Sequence, residues 1–283
     1  MLNTDFAIAT NHTNPPYNHM IFEEYFCGKF LSDEPLSPRE YLPVCWTNYY
    51  ISKNYCNDNM DDVQAYLNDL DRDRKYFTVC QWDDGIVNDI DHLDLYTFAS
   101  GGVGDYAYPL NCLPPLHTPQ KRDKALLCSF IGAINGRHSV RERMKSHLYS
   151  RNNVFISERT VLSHFQEIMA RSVFALCPRG YGKTSFRICE ALQMGIIPVY
   201  IYDDPWIPFS DVLPFESYGV LCHVDELGKL YDRLESIALD ATKILELLSN
   251  GETAYNEYYS YHGCYDNVLK SLDRLGAQNE TAH

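Results

Sequence analysis

Residues 171–199 read RSVFALCPRGYGKTSFRICEALQMGIIPV, and this stretch holds the side chains best suited to chemistry. The apolar run at 173–177 predicts a strand, 178–183 a glycine-bearing turn, and 185–194 a helix. Thr184 and Ser185 are both good helix caps. The first turn of a helix offers unpaired N–H groups and the positive end of its dipole. Gly180 and Gly182 allow close backbone approach. Arg179, Lys183 and Arg187 place three cations within nine residues. Together these features make an anion site, most naturally for a diphosphate. The plainer alternative is a strand-to-helix turn with solvated charges. Glu190, three residues after Arg187, either accepts hydrogen bonds from ribose hydroxyls or pairs with Arg187 on the helix surface. Gly182-Lys183-Thr184 ends like a P-loop, but the opening glycine of that motif would fall on Cys177, so the motif fails at its first turn.

The elements around this turn predict an α/β fold. From residue 124 onward, strands at 125–133, 154–157, 173–177, 196–202 and 220–224 alternate with helices at 137–149, 161–171, 185–194 and 227–237. That alternation implies a parallel sheet covered by helices. Ligands of such sheets bind at the carboxyl ends of strands, where the turn lies. Helices at 241–248 and 254–275 finish the chain. Residues 1–115 read as irregular, with a helix at 61–70, strands at 75–82 and 93–98, and a glycine-rich loop at 100–105. Leu113-Pro114-Pro115 and the charged stretch 120–124 mark a boundary.

The bulk numbers narrow the partners. A chain of 283 residues fits one large domain or two modest ones. With 45% hydrophobic and 22% charged residues it is ordinary globular material. A net charge of -14 repels phosphate backbones and argues against nucleic acid. The first twenty residues show no signal peptide, and no stretch reaches the roughly 18–20 apolar residues of a membrane span. The expectation is a cytoplasmic protein. The ten cysteines form no CxxC pair and read as small buried thiols in a reducing compartment.

RSVFALCPRGYGKTSFRICEALQMGIIPVYI resembles the signature of the exostosin family, inverting glycosyltransferases of family GT47 with the GT-B fold. The matching positions include Arg171, Phe174, Pro178, Arg179, Gly180, Gly182, Ser185, Arg187, Glu190, Gly195 and Pro198. SFIGAINGRHSVRERM at 129–144 is similar to the family's earlier donor-side segment. The short, unanchored chain is most like the exostosin-like xylosyltransferases of chlorella viruses, a kind that acts on capsid N-glycan. The resemblance implies two Rossmann-like domains facing a central cleft: 1–117 binding the acceptor, 118–250 binding a nucleotide sugar, and 251–283 a C-terminal helix packing back on the N-terminal domain. It also implies that Gly132, Arg137 and Arg141 face the diphosphate of a UDP-sugar. Arg179, Gly180, Tyr181, Gly182, Thr184, Ser185 and Arg187 would hold that diphosphate, and Glu190 the ribose. Retaining GT-B enzymes often carry a second glutamate eight positions on; here that position is Pro198, which favours inversion. Most exostosins are membrane-anchored in the Golgi, and this chain departs from them.

Inversion by single displacement needs a base for the acceptor hydroxyl and positive charge for the departing diphosphate. The arginines fill the second role, so no metal and no cofactor beyond the UDP-sugar substrate is expected. The Asp-x-Asp triplets Asp69–Asp71, Asp71–Asp73 and Asp89–Asp91 then read as chance in an aspartate-rich chain. Strand-end placement favours Asp83 or Asp84 as the base. The family's Arg-Asp-His pattern favours Asp73, although here the histidine is missing. His92 and Asp105 are weaker candidates. Several tyrosines, among them Tyr17, Tyr25, Tyr49, Tyr50 and Tyr55, offer rings for sugar stacking or ordinary packing. Two rivals stand beside the acceptor-glycan transferase: a catalytically inactive sugar- or nucleotide-binding protein, and a P-loop-type kinase.

Overall fold

The computed structural model describes residues 5–6, 20–111, 123–158 and 161–281. The chain divides into two compact units, residues 1–113 with 261–283, and residues 114–260. Each unit is built on a wholly parallel sheet with helices. This is the α/β class of two Rossmann-like domains expected of a GT-B chain.

The second unit holds five strands: β5 (Leu126–Ile131), β6 (Val154–Ser157), β7 (Ser172–Pro178), β8 (Ile197–Tyr202) and β9 (Val220–His223). Their order is β6-β5-β7-β8-β9. The near-continuous apolar runs of β5, β7 and β8 fit strands covered on both faces. Phe174, Leu176, Val199 and Ile201 are fully buried, each contributing about 1.5–3 kcal/mol of burial. Helices α4 (Val140–Leu148), α5 (Leu162–Ala170), α6 (Phe186–Gln193), α7 (Leu227–Leu239) and α8 (Ala241–Ala254) connect and cover the strands. Helix α6 begins at Ser185, whose hydroxyl accepts the Arg187 N–H at 3.3 Å. It is followed by Gly195 in the left-handed region at φ 64°, the usual glycine stop. The chain leaves β5 for β6 on one side and returns to β7 on the other. A topological switch point therefore falls between β5 and β7.

The first unit orders its strands β1-β2-β3-β4: β1 (Glu40–Tyr41), β2 (Lys75–Cys80), β3 (Asp94–Ala99) and β4 (Tyr106–Ala107). It is less irregular than its composition predicts. Helix α1 (Phe22–Asp33) and helix α2 (Trp46–Ser52) precede the expected α3 (Asp61–Asn68). On α1, Phe22, Phe26 and Phe30 fall four residues apart on one face; Phe26 and Phe30 meet Tyr41 and Phe77 of the sheet. The glycine-rich loop after β3 serves close packing. A Cβ on Gly101 would stand 2.2 Å from the Trp82 carbonyl oxygen, so this loop interlocks with the one after β2. The C-terminal helices also differ from expectation. Helix α8 runs on to Ala254, a π-helical turn covers Tyr255–Tyr259, and α9 (Tyr261–Thr281) starts afresh. Residues 251–260 thus belong to the second unit and α9 to the first, where Tyr261 donates to the Met20 carbonyl at 2.9 Å. The proline boundary at 113–115 and most of 120–124 lie outside the described residues, as does Tyr17.

Glu23 on α1 is buried, and its carboxylate accepts the Thr47 N–H and hydroxyl, both at 2.8 Å, and the Gln81 N–H. Burial lifts it from 4.5 to about 7, against the pull of those donors. The folded chain therefore holds this proton more tightly than the unfolded chain. The resulting stability is fully present below pH 4.5 and is lost as pH rises through about 7. Between pH 5 and pH 8, urea unfolding should show the wild type losing up to about 3 kcal/mol relative to Glu23→Gln. Parallel pH profiles for the two proteins would contradict this placement of Glu23.

Candidate active site at the β5–β7 switch point

The turn Pro178–Ser185 joins β7 to α6 at the carboxyl edge of the second unit's sheet. Gly180 donates to the Thr184 carbonyl at 2.9 Å and closes the turn. Thr184 and Ser185 are buried and Tyr181 is 64% exposed.

Three arginines converge here and stitch the two sides of the switch point together. Arg141 on α4 donates from Nε to the Arg179 carbonyl at 3.0 Å and from Nη1 to the Ala133 carbonyl at 2.9 Å. Arg187 donates to the carbonyl of Ile131, the last residue of β5, at 2.6 Å, and lies over the Phe165 ring at 4.3 Å. Arg179 is 7% exposed. It donates to the Gly182 carbonyl at 3.1 Å, the Tyr181 carbonyl at 3.4 Å, Asp203 at 2.5 Å and His138 Nε2 at 3.1 Å. An arginine cannot accept, so His138 accepts with Nε2 and carries its ring proton on Nδ1. The guanidinium forks are thus spent largely on backbone carbonyls. Their positive charges are thereby fixed in place at the carboxyl edge of the sheet. Gly180 admits the close approach of Arg141: a Cβ there would meet Arg141 Nη2 at 3.3 Å.

Glu190 is 5% exposed and pairs with Arg187 at 2.7 Å. Burial pushes its carboxyl up to about 8. Gly132 follows β5, where a Cβ would stand 3.1 Å from the Phe130 ring. Arg137 is exposed in the β5–α4 connection. A shallow hollow opens between that connection and the end of β6, lined by Ile134, Glu142, Lys145, Tyr149 and Glu158 among others. Arg141, Arg179 and Arg187 do not line it.

Four groups at this corner escaped sequence reasoning. Asp203 and Asp204 follow β8, and Asp204 pairs with Lys183 at 2.7 Å. His138 precedes α4. Tyr200 donates to the Lys183 carbonyl and accepts the Trp206 N–H at 3.2 Å, which fastens the loop after β8 to the turn after β7. The one available signal was an acidic pair directly after a strand of the parallel sheet.

In the first unit the base candidates separate. Asp83 and Asp84 follow the carboxyl end of β2, whereas exposed Asp73 sits in the turn at its amino end. The Asp-x-Asp triplets likewise precede β2 and β3. Asp105 accepts the Thr97 N–H at 2.7 Å, and His92 bonds the Leu67 carbonyl at 3.1 Å, so both are tied into the scaffold. Tyr49 and Tyr50 are buried and Tyr25 is half-buried. Tyr55 is 63% exposed and its ring lies 6.2 Å from that of Trp82.

A five-stranded parallel sheet with a switch point between β5 and β7, and a capped helix start beside it, define a Rossmann-type α/β domain. Residues 105–237 match the family model of the Exostosin GT47 domain. The chain is 43% identical over 76 residues to a "probable glucuronosyltransferase" of Oryza sativa subsp. japonica, covering 27% of this chain and 18% of the relative. It is 41% identical over 73 residues to a "probable beta-1,4-xylosyltransferase" of Arabidopsis thaliana, covering 26% and 18%. The chain therefore spans about a fifth of the length of these curated relatives. Among solved structures, TarM aligns at TM-score 0.45 with 11% identity, covering 73% of this chain and 52% of TarM. An alpha-glucosyltransferase in complex with UDP-glucose and DNA aligns at TM-score 0.43 with 9% identity, covering 75% and 76%. Among the described residues no helix is long and apolar enough to cross a membrane.

Proposed function

We propose that this chain is an inverting glycosyltransferase that moves a sugar from a UDP-sugar to a hydroxyl of an acceptor glycan. The observation that carries this reading is the convergence of Arg141, Arg179 and Arg187 on the β5–β7 switch point, inside the stretch that matches the Exostosin GT47 domain. The donor's diphosphate lies against the 178–185 turn and the start of α6, and Glu190 serves the ribose. The acceptor oxygen loses its proton to a base and attacks the anomeric carbon. The bond from that carbon to the diphosphate oxygen breaks with inversion, and the nucleotide leaves with the electron pair. The fixed arginines stabilise the charge that grows on the diphosphate. We assign base duty to Asp83 or Asp84, because in parallel sheets the carboxyl ends of strands present the reacting groups.

We further assign xylose as the sugar and a viral capsid N-glycan as the acceptor, with the host cytoplasm as the compartment. The xylosyltransferase among the relatives supports xylose; the acceptor and the compartment rest on the sequence resemblance alone. Because arginines supply the electrophile, the reaction needs no metal. Transfer from UDP-xylose, read by mass spectrometry of the product glycan, should keep its full rate in excess EDTA. Loss of activity restored by manganese would overturn the metal-free reading. Donor binding without transfer to any glycan would overturn the enzyme reading in favour of a binding protein. Stabilisation by ATP exceeding that by UDP would favour a kinase.

A further inference from the structure

The four cations of the corner are held in different ways. Arg141, Arg179 and Arg187 donate to backbone carbonyls inside the fold. Lys183 instead pairs at 2.7 Å with the Asp204 carboxylate, whose side chain is 57% exposed, and its ammonium lies 5.7 Å above the Trp206 ring. An exposed ion pair of this kind is worth about 0–1 kcal/mol, so a phosphate can replace the carboxylate at little cost. Asp203 differs from its neighbour. Its carboxylate meets the 7%-exposed Arg179 at 2.5 Å. Burial pushes the Asp203 carboxyl up, but the Arg179 guanidinium outweighs this and holds it below the usual carboxylate range. His138 takes another donor of the same guanidinium. Tyr200 anchors both loops, so Lys183 can change partner without either loop moving.

We propose that Lys183 is the exchangeable phosphate ligand of the turn, that Asp204 sets its anion affinity by competing for Lys183, and that Asp203 and His138 are positioning residues that lock Arg179 as a brace. The proposal rests on the anion-site reading above. It assigns opposite roles to two adjacent aspartates. Removing either one deletes the same negative charge, so a purely long-range charge effect would raise anion affinity in both cases. Local roles split the signs.

The test is calorimetric titration of inorganic pyrophosphate, in EDTA, into the wild type and its variants. Asp204→Asn should tighten binding about threefold to tenfold. Asp203→Asn should weaken it, because Arg179 loses its lock. Lys183→Ala should weaken it about tenfold and should erase the gain from Asp204→Asn in the double variant. Pyrophosphate should also change tryptophan fluorescence in the wild type, and the change should vanish in Lys183→Ala and in Trp206→Phe. Binding to the wild type with both aspartate variants tightened, or with Asp204→Asn without gain, overturns this proposal and leaves the anion site standing. Absence of pyrophosphate binding in all proteins overturns both.

Discussion

Arg179→Ala should lower the rate of sugar transfer by about a hundredfold to a thousandfold, the usual cost of losing one preorganised donor at a site of developing charge. The side chain closes the 178–185 turn on itself through the Gly182 and Tyr181 carbonyls and ties it to Asp203 and His138. Alanine removes a fixed positive charge and four tethers at once. The fold should survive. The Arg179 backbone N–H still pairs with the Ile201 carbonyl at 3.0 Å, and the Asp203 side chain, 36% exposed, can turn to water. Arg179→Lys should recover little, because an ammonium cannot span a planar fork of acceptors. Initial rates at saturating donor, with circular dichroism and a melting curve, check both halves. Wild-type rates in Arg179→Ala would remove this corner from the reaction.

The second large effect concerns the first unit. Gly101→Val should destabilise the protein by about 3 kcal/mol or more. A Cβ at this position would lie 2.2 Å from the Trp82 carbonyl oxygen and 2.6 Å from the Asp83 Cα. Both are backbone atoms, so no side chain can swing aside. The collision also falls on the loop that carries Asp83 and Asp84, so activity should fall further than stability alone predicts. Gly136→Ala is the control. Nothing lies within 4 Å of its added Cβ, and the expected change is within about 0.5 kcal/mol. Urea midpoints of the two variants against the wild type decide the matter. A Gly101 variant as stable as the Gly136 variant would contradict the interlocked loops.

The two units differed in how openly their residues declared the structure. In the second, strands buried on both faces are unbroken apolar runs, and β6 at 154–157 was legible to the residue. In the first, α1 has Ile21 rather than a Ser, Thr, Asp or Asn at its N-cap and Gly28 inside it. These features hid Phe22, Phe26 and Phe30, whose spacing of four carries the helical signal. Helix α2 is capped by Cys45 and packs tyrosines, which look like loop composition. Strands β1 and β4 are two residues each, too short for any period to show. At the corner, the turn, the Ser185 cap and the Arg187–Glu190 pair are local and could be read along the chain. Asp203 and His138 reach Arg179 from 24 and 41 residues away. Only the packing of parallel strands brings such groups together.

The proposed sugar transfer depends on the β5–β7 corner gripping the diphosphate of a nucleotide. Calorimetric titration of UDP and of uridine into the wild-type chain, in EDTA, tests this most directly. One UDP should bind per chain, at least about a hundredfold more tightly than uridine, with the affinity falling as salt is raised. Equal binding of UDP and uridine, or no binding of UDP, would contradict it.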